Sequence, residues 1–219
     1  MTNFQKRIIT SLIILPLSFF FIVIGGYYLL AFLVAVFFIA NYELFSVFNK
    51  RSTILFLDLI LILSLFSIYS LANPIGENKD VPFYILLWVI ILVVCSDVGG
   101  YVLGKTFKWR KLTRISPNKT LSGVLGSFIF SLFSIFIINE IAPIDFSINF
   151  FDPKFFFIAI ILSLIAQLGD LIISYFKRLE KIKDTGKILP GHGGILDRID
   201  GLMFAVIFAF VLIQINIIS

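Results

Sequence analysis

The feature that leaves this chain the fewest folding options is a series of uninterrupted apolar runs, recurring from end to end with charges confined to the joints. A helix of roughly 20 apolar residues covers the ~30 Å hydrocarbon thickness of a bilayer. Such runs lie near residues 8–24, 27–48, 54–72, 82–103, 121–141, 155–175 and 201–218. They are continuous Ile, Leu and Phe rather than the alternating apolar and polar residues of a barrel strand, so helices are expected. With 59% of residues hydrophobic and 14% charged, the chain lacks the polar surface a soluble domain needs. The expected fold is an all-α integral membrane protein, a single polytopic domain over 1–219 forming a bundle of about seven transmembrane helices. Its N-terminal helices are expected over about 1–80 and the other half of the bundle over about 82–219.

Lys6 and Arg7 precede the first run, but no small-residue cleavage site follows, and Gly25-Gly26 leads straight into the next run. The first run is therefore expected to be retained. Cys95 is the lone cysteine, which excludes an internal disulfide and a cysteine-built metal site.

If the runs alternate across the membrane, every Lys and Arg except Lys79 and Lys154 falls on one side. The positive-inside rule makes that side cytoplasmic. The outer joints, around 73–81 and 142–154, are short and rich in turn formers. Of the two long inner joints, 104–120 is basic with no acid, and 176–200 interleaves bases, acids and glycines. Charge alone leaves the first open between a solvated topogenic loop and a docking surface for anionic headgroups or a triphosphate.

A carboxylate at membrane depth costs at least ~2.5–3.5 kcal/mol on insertion scales, so Asp97 and Asp170 need partners or water. Each lies roughly 10 Å from the inner end of its run, counted to Gly104 and Lys177, and both can face one shallow cavity. Gln167, Asp170, Ser174 and Lys177 share one helical face, as do Asp97, Tyr101 and Gly104. Such stripes serve equally as interhelical hydrogen-bond seams. Glu43 and Asp58 sit near helix ends, where snorkelling or water suffices, and are left out of the site.

Residues 174–200 read SYFKRLEKIKDTGKILPGHGGILDRID, immediately before the last run. Handling a nucleoside triphosphate needs cations for its oxygens, amides that come close, and carboxylates for Mg²⁺, and this segment holds all three. Gly191, Gly193 and Gly194 around His192 can turn amides toward an anion, while Asp197 and Asp200 project to one side of a helix start. The same two acids also suit a plain helix N-terminus, and a lone histidine such as His192 is commonly a hydrogen-bonding loop residue.

The whole of 174–200 resembles the signature of the phosphatidate cytidylyltransferase family, without a gap. DVGGYVLGK at 97–105, ISPNKTLSG at 115–123 and QLGD at 167–170 are similar to further stretches of that family, so the likeness covers about the C-terminal half. The resemblance implies attack of the phosphatidate phosphate on the α-phosphorus of CTP, with pyrophosphate leaving. It implies Asp170, Asp197 and Lys177 as catalytic residues. Asp170 and Asp197 would be carboxylates of a Mg²⁺ centre, with Asp200 and Asp97 as further metal candidates and a second, monovalent cation left open. Lys177, Arg178, Lys183 and Arg198 would neutralise phosphates. Ser116, Lys119 and Thr120 would close over nucleotide or lipid phosphate, and Ser174, Asp184, His192, Gly193 and Gly194 complete the implied substrate-binding set. The implied partners are phosphatidate, CTP and the bilayer, with no nucleic acid and a homodimer left open. The implied location is a bacterial-type inner membrane with the site facing the cytoplasm. A CTP-dependent polyprenol kinase and a secondary transporter are the competing readings. No paired repeat between the halves supports the transporter.

Overall fold

The computed structural model describes residues 3–74, 80–113, 116, 119–143, 146, 148–186, 188–191 and 193–218. Seven helices follow one another: α1 (Asn3–Ile24), α2 (Gly26–Val47), α3 (Arg51–Ala72), α4 (Asp80–Phe107), α5 (Leu121–Ile141), α6 (Pro153–Leu179) and α7 (Leu196–Gln214). Among the described residues β pairing is limited to two isolated bridges, Lys111 with Thr120 and Leu189 with Gly193. Helices α2 to α6 are long and apolar enough to cross a bilayer. The apolar part of α1 is the shorter Leu12–Ile24. Asp197, Arg198 and Asp200 lie in the opening turns of α7. The chain is thus a multi-pass membrane protein, and large apolar side chains such as Leu12, Phe38, Phe66, Phe133 and Phe157 face outward, as lipid-facing surface should.

Boundaries differ from the hydropathy reading in an informative way. Helices α4 and α6 run past their apolar segments to Phe107 and Leu179, and α7 starts at Leu196 rather than near residue 201. Charged residues at these ends are helical because their side chains point into a polar cavity or to solvent, which an apolar count cannot register. The end of α6 is a Schellman motif: Lys181 takes a positive φ of 58°, Ile182 N donates to Lys177 O at 3.0 Å, and Lys181 N donates to Arg178 O at 3.1 Å. This closure turns the chain into the 182–195 loop.

Helix α4 is the hub. Ile85, Leu86, Trp88, Val89 and Leu92 on it are fully buried. Trp88 sits against the rings of Phe150 and Phe155 at 5.7 and 5.5 Å, and its Nε1 donates to Ser134 Oγ on α5 at 3.0 Å. Further along, Ser96 Oγ meets Ser163 Oγ of α6 at 2.8 Å, and Ser127 Oγ of α5 donates to Ser96 O at 2.8 Å. A second core gathers Leu44 of α2, Leu57 and Leu61 of α3, Ile173 of α6 and Met203 of α7.

Between α4 and α5 the backbones come into direct contact near the site. A Cβ added at Gly99 would collide with Gly126 O, and one at Gly126 with Gly99 O. A Cβ at Gly123 would meet Gly100 O at 2.9 Å. Small residues that let backbones touch are how helices associate in lipid, where hydrophobic burial between helices is weak. Gly126→Leu is expected to lower stability by about 3 kcal/mol, the upper end of the overpacking range, and Leu125→Ala on the lipid side by less than about 0.5 kcal/mol. Melting of the purified protein in detergent measures both.

Candidate functional site

Three contacts bring the basic segments to one end of the bundle. Thr10 Oγ1 donates to Pro190 O at 2.9 Å, Asn49 Nδ2 donates to Glu180 at 2.7 Å, and Lys119 Nζ pairs with Asp170 at 2.5 Å. Two hydrogen bonds from Asn49 hold the exposed Glu180 carboxyl below the usual carboxylate range. At this end a cavity of about 520 Å³ opens between α4, α5, α6 and α7. Asp97 and Asp170 both line it, as the sequence predicts. Each lies about 14–15 Å along its helix from the end, deeper than the hydropathy count because the helices extend further.

The two helical stripes form the walls. On α6, Gln167, Asp170 and Lys177 face the cavity, with Ser174 Oγ donating to Asp170 Oδ1 at 3.2 Å. On α4, Asp97 and Tyr101 face it, and Lys105 Nζ donates to Tyr101 OH at 3.3 Å. Between α4 and α5, Ser116, Lys119 and Thr120 contribute to the lining. Thr120 also caps α5, its Oγ1 accepting from Gly123 N at 3.1 Å. Lys119 Nζ reaches Gln167 O at 3.3 Å besides Asp170.

Helix α7 supplies Asp197, Arg198 and Asp200, and the loop before it supplies Asp184. The two acids of α7 do different work. Asp197, 4% exposed at its side chain, accepts from Lys177 Nζ at 2.8 Å, Thr185 N at 2.8 Å and Gly194 N at 2.9 Å. It ties α6, the loop and α7 together, and breaking such a buried pair from one side costs about 3–5 kcal/mol. Asp200 accepts from its neighbour Gly201 N and otherwise lies within hydrogen-bonding reach of the Asp170 carboxyl. Two carboxylates this close repel unless a cation or proton sits between them.

That juxtaposition tests the predicted Mg²⁺ site. Among the described residues no group of three or more His, Cys, Asp or Glu side chains is placed to hold a metal ion. Mg²⁺ seldom uses such a group: it binds through one or two carboxylates and keeps its remaining positions for water and substrate phosphates. The two carboxyls of Asp170 and Asp200 fit that pattern, whereas Asp197 already accepts from three donors of the protein.

The remaining predicted residues divide. Arg198 lines the cavity and makes no hydrogen bond or ion pair with its guanidinium among the described residues, although its charge is felt at Asp97. Arg178 is turned away from the cavity, Nη1 donating to Ile182 O at 2.7 Å, and Lys183 is exposed outside it. His192 lies outside the described residues. The amides of Gly193 and Gly194, expected to face a substrate anion, are occupied within the protein: Gly193 N donates to Leu189 O at 3.2 Å and Gly194 N to Asp197. Glycine is needed at these positions for space and backbone freedom. Gly193 has φ 90°, and a Cβ at Gly194 would strike Thr185 and Glu43.

Glu43, excluded by sequence reasoning, proves central to the loop. Only 1% exposed on α2, it accepts from Ile195 N at 2.9 Å, Leu196 N at 3.1 Å and Thr185 Oγ1 at 3.3 Å. It thereby caps the N-terminus of α7 from a distant helix, since Ile195 at the N-cap provides no side-chain acceptor. The available signal was an acid inside an apolar run, discounted because it stood near the end. Asp58, also excluded, accepts from Asn41 Nδ2 at 3.0 Å and stays outside the cavity. Glu43→Gln keeps the shape but replaces one acceptor oxygen by a donor, leaving loop amides unanswered at a cost of about 1–3 kcal/mol. Limited trypsin digestion is expected to cut faster at Lys181 and Lys183 in this variant, with the helices otherwise intact.

Comparison with known proteins matches residues 48–216 to the cytidylyltransferase family, a span holding every cavity residue named above but not Glu43. A phosphatidate cytidylyltransferase of Helicobacter pylori is 41% identical over 131 residues, covering 59% of this chain and 47% of that protein. Proteins of the same name from Staphylococcus haemolyticus and Staphylococcus saprophyticus are 45% and 42% identical over 120 and 141 residues. These alignments cover 54% and 64% of this chain and 45% and 53% of the two relatives, so the chain spans about half the length of the curated relatives it matches. With the match reaching from the end of α2 to the end of α7, this chain belongs to the cytidylyltransferase family.

Proposed function

We propose that the protein transfers the cytidylyl group of CTP to phosphatidate, forming CDP-diacylglycerol and pyrophosphate at the cytoplasmic face of a bacterial-type inner membrane. The observation that carries this reading is the Asp170–Asp200 pair at the base of a membrane-embedded polar cavity whose walls also hold Lys119, Lys177 and Arg198. An oxygen of the phosphatidate phosphate forms a bond to the α-phosphorus of CTP, and the bond from that phosphorus to the bridging oxygen of the β-phosphate breaks. The electron pair leaves with pyrophosphate. A phosphate monoester is already a competent nucleophile, so the work is positioning and charge neutralisation rather than base catalysis.

Asp170 and Asp200 would hold Mg²⁺, with Asp97 nearby. Bound there, the ion supplies charge neutralisation for nucleotide phosphate oxygens. Lys119, lying between Asp170 and the mouth, is placed to exchange its carboxylate partner for a phosphate as substrate enters. Arg198 meets an anion without first giving up an ion pair. Lys177 and Asp197 keep the α6–α7 wall in place, so Asp197 serves by positioning.

Purified protein in detergent, given phosphatidate, CTP and Mg²⁺, is expected to release pyrophosphate and form CMP-linked lipid. Asp170→Asn and Asp200→Asn should each lower the rate at least about hundredfold, as loss of a preorganised electrostatic group does, and chelation by EDTA should abolish turnover until Mg²⁺ is restored. Label from γ-phosphate-labelled CTP appearing on a lipid, with CDP released, would establish a lipid kinase and overturn the proposal. For orientation, Lys183→Cys in a Cys95→Ala background should react with a membrane-impermeant thiol reagent only in inverted vesicles, and Lys154→Cys only in right-side-out cells.

A further inference from the structure

On the other side of α7 from the polar cavity lies a second cavity of about 310 Å³, walled by α1, α2, α3 and α7 with Ile90 of α4 and Leu189 and Ile195 of the loop before α7. Its lining is aliphatic and aromatic apart from Ser18, Ser64 and Arg198. The Ser64 hydroxyl is turned back onto Leu61 O of its own helix at 2.8 Å, so the wall it presents is effectively apolar. Among the described residues Arg198 alone lines both cavities. One side chain therefore joins a compartment suited to phosphates with one suited to hydrocarbon, and its guanidinium has no ion-pair partner there. The exposed Arg198 guanidinium can meet an anion arriving at this boundary without first giving up an ion pair. The ligand chemistry that satisfies both compartments at once is an anionic headgroup carrying a hydrocarbon tail.

We propose that this apolar cavity receives one acyl chain of the lipid phosphate substrate, with Arg198 at the neck holding the phosphate toward Asp170 and Asp200. The inference rests on the reading of phosphatidate as substrate. It assigns a substrate-recognition role to α1–α3, which provide none of the polar cavity lining. The tail then runs past α7 between the N-terminal helices while the nucleotide occupies the polar side. Chain length is read by how many methylenes the cavity accepts, at about fourfold in binding per methylene buried.

The test is a competition assay: equimolar dihexanoyl and dipalmitoyl phosphatidate in the same detergent micelles with CTP and Mg²⁺, the two CDP-lipids being resolved by mass spectrometry. Ser64→Leu fills the cavity by the volume of two to three methylenes. It should lower the long-to-short product ratio roughly tenfold or more relative to the parent. Ala35→Leu, on the exposed edge of the same cavity, should move the ratio in the same direction and serves if the buried substitution impairs folding. An unchanged ratio in variants that turn over, or equal loss with both lipids, would overturn the acyl-chain assignment while leaving the proposed reaction standing. Equal loss accompanied by altered thermal stability in added bulk lipid would identify the occupant as a structural lipid. Absence of either CDP-lipid from the folded parent would overturn the underlying reaction and the assignment with it.

Discussion

A carboxylate placed below the membrane surface must be answered by donors or cations of the protein's own, and the end of this bundle that holds the polar cavity is organised around such answers. Glu43 on α2 is met by amides at the start of α7 and by Thr185. Asp197 on α7 is met by Lys177 of α6 and by two loop amides. Asp170 on α6 is met by Lys119 from the 108–120 loop. Each contact joins elements distant in sequence, so segments that would otherwise be solvated connectors are fixed to the transmembrane helices.

The degree to which each acid is answered separates scaffold from chemistry. Glu43 and Asp197 each accept from three donors and are nearly inaccessible, and exchanging any of their partners for a ligand would loosen the loop. Asp97, Asp170 and Asp200 face the cavity with capacity to spare. The basic residues sort in the same way: Lys177 is committed to Asp197, Arg178 reaches a backbone carbonyl, and Lys119 and Arg198 stand at the cavity surface. Within one dense signature, structural and ligand-facing charges therefore alternate.

Much of this was legible in the residues. Apolar runs located every helix, and the polar stripes on α4 and α6 located the cavity, because helical periodicity and the cost of buried charge are local properties. What depended on tertiary contact was less legible. Glu43 looked like a snorkelling acid because its partners lie over a hundred residues away, at Thr185, Ile195 and Leu196. Gly193 and Gly194 looked like an anion cradle, whereas their lack of Cβ makes room for Asp197, Thr185 and Glu43. The start of α7 was placed late because Asp197, Arg198 and Asp200 break the apolar count while remaining helical. The apolar cavity had no sequence signal, since it exists only where α1–α3 meet α7.

The glycine contact between α4 and α5 has a mechanical meaning. With backbone close against backbone at Gly99, Gly123 and Gly126, few side chains lie between the helices here to change rotamer and take up a displacement. The pair behaves as a stiff plate carrying Asp97, and the polar cavity has one wall of constant shape. Any breathing needed to admit or expel a bulky molecule is then borne by the opposite elements, α6, α7 and the N-terminal helices, whose packing relies more on side chains such as Phe204 against Gly169, beside one backbone approach of Gly201 to Ala166. Stiffness on one side sets the reference against which the other side moves.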